Sequence, residues 1–150
     1  MTTLEPSAPR DSLRSVRMTR IGDARYKATN RRGGVLPIGE GDDPDFTPVE
    51  LLLAAIAGCT AIDVEYITRK RAVSESFEVH AEGDKVRDED GNHLTNLRVV
   101  FDVTFPAGAE GDAARAVLDD AIAKSRDRIC TVSRTVALPS PVEMGTGTLG

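Results

Sequence analysis

Two cysteines are the side chains in this sequence best suited to reversible covalent chemistry. Cys59 closes an apolar run that begins at Pro48, and Cys130 opens the segment Cys130-Thr-Val-Ser-Arg-Thr135. A thiolate attacks the O–O bond of a peroxide and becomes a sulfenic acid, which a second thiol converts to a disulfide. Two thiols are the minimum for a cycle that resolves itself. Their separation of 71 residues fits neither CxxC redox spacing nor the spacing of zinc ligands. Pairing therefore depends on a fold that brings the two Cα atoms within about 7 Å. The residue types alone fit equally well a pair of small hydrophobes in a core.

Other chemistry finds little support. His80 alternates onto a polar strand face with Glu78 and Glu82, and His93 falls in a turn, so surface roles are expected for both. With no Cys or carboxylate at ligand spacing beside these histidines, no metal site is expected. No Gly-rich phosphate loop precedes a helix and lysine. The net charge of −5 argues against a nucleic-acid surface, which relies on clustered Lys and Arg. The short basic run Arg69-Lys70-Arg71 reads instead as the end of a helix, where cations complement the dipole.

Length bounds the rest. A chain of 150 residues buries enough surface to fold as one domain without metals or cross-links. The organisation expected is a flexible tail over 1–15, a single domain over 16–143 and a second tail over 144–150. Residues 1–15 lack the apolar stretch of a secretory signal, and no segment reaches about 18 uninterrupted apolar residues. A cytoplasmic location with no membrane partner is the expectation. In that reducing compartment a thiol pair is catalytic or sensory rather than structural.

The elements that must position the cysteines follow from periodicity and punctuation. Residues 16–21 and 25–29 alternate around Gly22-Asp23 as a hairpin, and a short strand is expected at Val35–Ile38. Thr47-Pro48 is a helix start, with Thr as N-cap and Pro in the first turn. The helix should run to about Arg71 and, being apolar nearly all round, should be buried on most sides with Cys59 at its middle. Strands at Phe77–Glu82 and Leu97–Phe105 turn around Asp90-Gly91. Asp112 is expected to cap a second helix that ends near Arg128, and Val136–Val142 reads as an edge strand interrupted by Pro139 and Pro141. The order β-β-(β)-α-β-β-α-β is an α+β pattern.

Taken together, Thr47-Pro48-Val-Glu-Leu-Leu-Leu-Ala-Ala-Ile-Ala-Gly-Cys59, Cys130-Thr-Val-Ser-Arg-Thr135 and the order of elements between them resemble the OsmC/Ohr family of osmotically inducible and organic-hydroperoxide-resistance proteins. The resemblance covers about residues 16–143. It implies an intertwined homodimer built around two long central helices, with a dithiol site near the interface. It implies reduction of organic hydroperoxides, no bound cofactor, and recharging by an external dithiol such as a lipoyl group. By the same analogy Cys59 is the peroxidatic thiol and Cys130 the resolving one. The family's arginine, from the N-terminal strands, corresponds best to Arg25, with Arg20 as the fallback.

The chain departs from the peroxidase pattern at two points. A glutamate directly after the proline is replaced by Val49, with Glu50 one step later, and a proline after the second cysteine is replaced by Thr131. One step along a helix turns a side chain by about 100°. Glu50 is therefore at most an auxiliary residue, and the sequence looks like a less characterised OsmC-like branch. The alternative to a peroxidase is a redox-responsive or small-molecule-binding protein of the same fold, without efficient turnover. A third class, an interaction domain with inert buried thiols, also fits the residues.

Overall fold

The computed structural model describes residues 2–149. They fall into two compact units, one holding the residues up to Pro48 together with those from Ser140, the other Val49–Pro139. In the first unit β1 (Arg17–Gly22), β2 (Arg25–Thr29) and β3 (Val35–Ile38) form an antiparallel sheet in the order β1-β2-β3. The hairpin and the short strand stand where alternation and Gly punctuation place them. Thr3 and Thr146, from the two segments read as tails, form a parallel bridge, with the Leu4 N–H donated to Thr146 O at 2.7 Å.

The second unit begins with α1 (Pro48–Thr68), its start following Thr47-Pro48 as expected. Within a single chain the expected burial is met only on one face. Within this chain only the stripe Ile56, Thr60, Val64 and Thr68 is buried, while Ile62 and Tyr66 are 56% and 55% exposed. The stripe repeats every four residues, so it is one helix face. A helix apolar all round needs a second surface to cover it, and one chain of this size provides only one. By length and composition alone α1 is apolar enough to cross a membrane, a test that core helices also pass.

β4 (Ser76–Asp88) and β5 (Gly91–Thr104) pair antiparallel over nearly their whole length. The inward faces match the alternation in sequence: Phe77 opposes Val103, Val79 opposes Phe101 and Ala81 opposes Val99. Phe77 and Phe101 meet edge to face at 6.1 Å. Both strands run further than apolar alternation indicates, because the tight turn before Gly91, at φ 96°, zips charged residues into register. The register shifts between Glu82 and Asp84.

α2 (Ala109–Lys124) starts at an N-cap Gly108 that has no side chain to offer, rather than at Asp112. Asp112 lies in the first turn and holds Arg115 at 2.5 Å, a favourable place for an anion without being the cap. Gly111 is required there, since a Cβ would lie 1.6 Å from Pro106 O. Ala114 packs with Ala72 and Phe105 in a small core that Val103 and Leu118 flank. A π-helical turn, Ser125–Ile129, then carries the chain to Cys130.

The expected edge strand at Val136–Val142 is absent. Thr131–Ala137 form a short helix, α3, with Cys130 as its N-cap. The Cys130 sulfur accepts the Ser133 N–H, which is the bond that starts a helix. Pro139 and Pro141, read in sequence as interruptions of a strand, instead follow the helix end, where proline commonly stands.

Candidate functional site

Three elements of the second unit build the site. Cys59 and Asp63 stand four residues apart on α1, on one helix face, and Cys130 comes from the junction of the π-turn with α3. The two sulfurs and an Asp63 oxygen all lie within 4.8 Å of one another. Both cysteines are free. Closing to the ~2.05 Å of a disulfide moves each sulfur by at most about 1.4 Å.

The π-turn is what delivers Cys130. Its closing bond runs from the Cys130 N–H to Ser125 O at 2.9 Å, which fixes the chain direction as it leaves α2. The same turn buries Ser125 completely. Ser125 Oγ donates to Asp63 Oδ2 at 2.9 Å and lies 2.7 Å from the buried Thr60 Oγ1, so this network ties the turn to α1 and orients the carboxylate between the thiols. Buried hydroxyls are costly unless paired, and both of these are.

The two thiols differ in acidity. Burial is the largest influence on Cys59 and pushes it up; a hydrogen bond from the Val132 N–H opposes this, while the Cys130 sulfur and the Asp63 carboxylate add to it, so Cys59 ends above the ordinary thiol value. Burial is also the largest influence on Cys130, but the Ser133 hydroxyl and N–H and the Cys59 thiol together outweigh it, and Cys130 ends below that value. Cys130 Sγ is 3.3 Å from Ser133 Oγ and 3.4 Å from Ser133 N. In the reduced pair Cys59 is thus the proton holder and Cys130 the sulfur on which negative charge is stabilised.

A cavity of about 410 Å³ lies beside this pair, walled by Leu53, Ile56, Val99, Phe101, Ile122 and Val136. Thr60 and Ser133, which belong to the thiol site, also line it. Its volume is in the range of small-molecule pockets. The arginines at its edge are paired with carboxylates, Arg98 with Glu82 at 3.3 Å and Arg126 with Asp127 at 2.7 Å.

The remaining residues singled out in sequence lie as follows. Arg25 opens β2 and is held by Asp43, at 3.1 Å, and by Asp45, both from the loop before α1. Arg20 pairs with Asp23 at 2.5 Å on the exposed hairpin. Glu50 is in the first turn of α1, nine residues before Cys59, and lines a hollow with Ala54, Ala57 and His80. His80 and His93 lie beside Glu82 and Asp88 on the β4–β5 hairpin.

A family model described as OsmC-like protein matches residues 39–145. The chain belongs to the OsmC-like family. The α+β architecture is the OsmC-like fold, as solved structures show. An OsmC-like protein of unknown function from Vibrio cholerae O1 biovar eltor aligns with a TM-score of 0.69 at 16% identity, over 92% of this chain and 98% of that one. The organic hydroperoxide resistance protein OhrB of Bacillus subtilis gives 0.52 at 15% identity, over 81% and 90%. An organic hydroperoxide resistance protein OsmC from Legionella pneumophila gives 0.54 at 16% identity, over 84% and 91%. At these identities the likeness is one of fold. No curated protein matches the chain.

Sequence reasoning on this OsmC-like chain found the two cysteines and missed the groups around them. Asp63 had a readable signal, the i, i+4 spacing from Cys59, and Ser133 had another, the cap-to-N3 spacing from Cys130. The lowering at Cys130 comes from Ser133 and Cys59. Thr60 and Ser125 carried no signal, since their pairing spans 65 residues.

Proposed function

We propose that this OsmC-like protein is a thiol-dependent peroxidase that reduces organic hydroperoxides through a Cys59/Cys130 dithiol–disulfide cycle. The observation that carries the reading is the convergence of the two sulfurs, distant in sequence, within 4.8 Å of each other; Thr60, next to Cys59 in sequence, and Ser133, hydrogen-bonded to Cys130, line the apolar cavity. Cys59 is the attacking thiol because it is partly accessible, whereas Cys130 has no exposed surface. The Cys130 sulfur, where negative charge is better stabilised, takes the Cys59 proton as the peroxide approaches. Cys59 then bonds to the terminal peroxide oxygen, the O–O bond breaks, and the alkoxide leaves as the alcohol with the proton that Cys130 had taken. Cys130 displaces water from the resulting sulfenic acid to form the disulfide. An external dithiol, of the lipoyl class, restores both thiols by exchange and is itself oxidised.

The same proposal includes a homodimer in the cytoplasm. The exposed apolar faces of α1 support the dimer, since they lack cover within one chain. Arg25 is proposed as the third catalytic residue, with Arg20 as its fallback and Glu50 as an auxiliary residue. The test is peptide mapping of reduced protein after one equivalent of cumene hydroperoxide, alongside steady-state consumption with a dithiol. A rapid Cys59–Cys130 disulfide and sustained turnover are expected; thiols that stay free refute the cycle.

One observation favours a second reading, a redox-responsive or ligand-binding protein without efficient turnover. Among the described residues, the charged side chain that bears on both thiols is an anion, Asp63, which opposes thiolate formation. Disulfide formation without catalytic turnover is the result expected of that reading.

A further inference from the structure

The placement of Asp63 disfavours thiolates but suits a cation. Two sulfurs and a carboxylate oxygen within 4.8 Å of one another form an S₂O donor set. Thiolate ligands select thiophilic metals such as Zn²⁺, and a Zn–S bond of about 2.3 Å corresponds to sulfurs about 3.8 Å apart in a tetrahedron. The donors thus need to close in by at most about 1 Å.

The surroundings are those a metal ligand set requires. Metal-binding carboxylates are held by hydrogen bonds of their own. Ser125 Oγ donates to Asp63 Oδ2 at 2.9 Å and is itself fixed by Thr60, leaving the second carboxylate oxygen for a ligand bond. Val132 N–H and Ser133 N–H are directed at the sulfurs of Cys59 and Cys130 respectively, so each thiolate has a backbone donor. Two ligands lie on one turn of α1 and the third is set by the π-turn, so the site rests on regular elements. The expectation of no metal site considered the neighbours of the histidines; this set contains no histidine.

We propose that the reduced protein binds one thiophilic divalent cation of the Zn²⁺ class through Cys59 Sγ, Cys130 Sγ and the Asp63 carboxylate, with a fourth position left for water or an exogenous ligand. The cation displaces the two thiol protons, which are released to solvent. Disulfide formation consumes both sulfur ligands, so metal and disulfide exclude each other: the metal shields the dithiol, and oxidation releases the metal. The proposal requires only reduced thiols and holds whether or not the protein turns over peroxides.

The probe is Co²⁺, titrated into the full, reduced chain and followed by electronic absorption. One equivalent should produce sulfur-to-cobalt charge transfer and the visible bands of a tetrahedral ion, and Zn²⁺ should displace it. Asp63→Asn should weaken binding about tenfold or more, and Cys59→Ser about a hundredfold with roughly half the charge-transfer intensity lost. Protein oxidised to the disulfide should give no charge transfer. Cys59 is partly exposed, so Cys59→Ser keeps the test valid should replacement of the buried Cys130 disturb folding. Absence of charge transfer in reduced protein, or a titration unchanged in both Asp63→Asn and Cys59→Ser, overturns the proposal.

Discussion

Cys59 lies inside a 21-residue helix whose own N–H groups are committed to intrahelical bonds, whereas Cys130 caps a seven-residue helix whose first-turn N–H groups are not. The two sulfurs share one site and one carboxylate neighbour. They nevertheless move in opposite directions, Cys59 above the ordinary thiol range and Cys130 below it. Burial acts upward on both, so it does not distinguish them. The difference comes from the partners around each: Cys130 accepts the Ser133 N–H and is hydrogen-bonded to the Ser133 hydroxyl, and Cys59 receives one N–H from Val132 while giving its own proton to Cys130. Acidity in this pair is thus set by where a helix begins.

The largest effect is expected from removing the accessible thiol. Cys59→Ser should lower hydroperoxide turnover by about 10³-fold or more, as loss of a nucleophile does. Cys130→Ser should complete one oxidation and stop with a sulfenic acid on Cys59, read by trapping and intact mass. A sulfenic acid found on Cys130 in Cys59→Ser, with none on Cys59 in Cys130→Ser, would reverse the two roles.

The next effect tests the scaffold that holds the pair together. Ser125→Ala removes the donor to Asp63 and the partner of Thr60 in a buried place, so unfolding in urea should show a loss of about 1–3 kcal/mol. Thiol reactivity should also change, because the carboxylate loses its orientation.

A smaller effect goes to the difference in acidity itself. Carbon NMR of labelled cysteine Cβ, followed against pH, should show Cys130 ionising from a lower pH than an ordinary thiol, and Cys59 only from a higher one. The sign follows from the shifts: a lowered pKa populates thiolate earlier as pH rises, a raised one later. Ser133→Ala keeps the N–H and deletes the hydroxyl, so the ionisation of Cys130 in the same titration should move to higher pH. Equal titration of both cysteines would break the comparison. The smallest effect is that of Asp63→Asn, which should speed alkylation of the accessible Cys59 by roughly threefold, because a partly exposed charge acts weakly. In this variant thiol reactivity rises while Co²⁺ affinity falls, which separates electrostatic from ligand roles.

The fold was legible wherever a local signal was sufficient. Thr47-Pro48 placed the start of α1, alternation placed the inward faces of β4 and β5, and Gly22-Asp23 placed the first hairpin. The misreadings occurred where a local pattern admits two outcomes. The prolines after residue 138 fit a strand edge or a helix end, and the Cys130–Ser133 bond decides for the helix. The apolar circumference of α1 signalled burial on most sides, but a pattern records which surfaces are apolar, not how many one chain covers.

By itself the sequence determined the two thiols and the order of elements as far as α2, because these depend on spacings of a few residues; the resemblance to the OsmC/Ohr family rested on the segments around those thiols. The tertiary structure alone decided that Cys59 meets Cys130, that Asp63 stands with them, and that Ser125 and Thr60 hold it there. Those relations join residues more than sixty positions apart, and no local periodicity encodes them. The opposite acidities needed both levels: a capping bond within one short helix, and a partner sulfur brought in from another element.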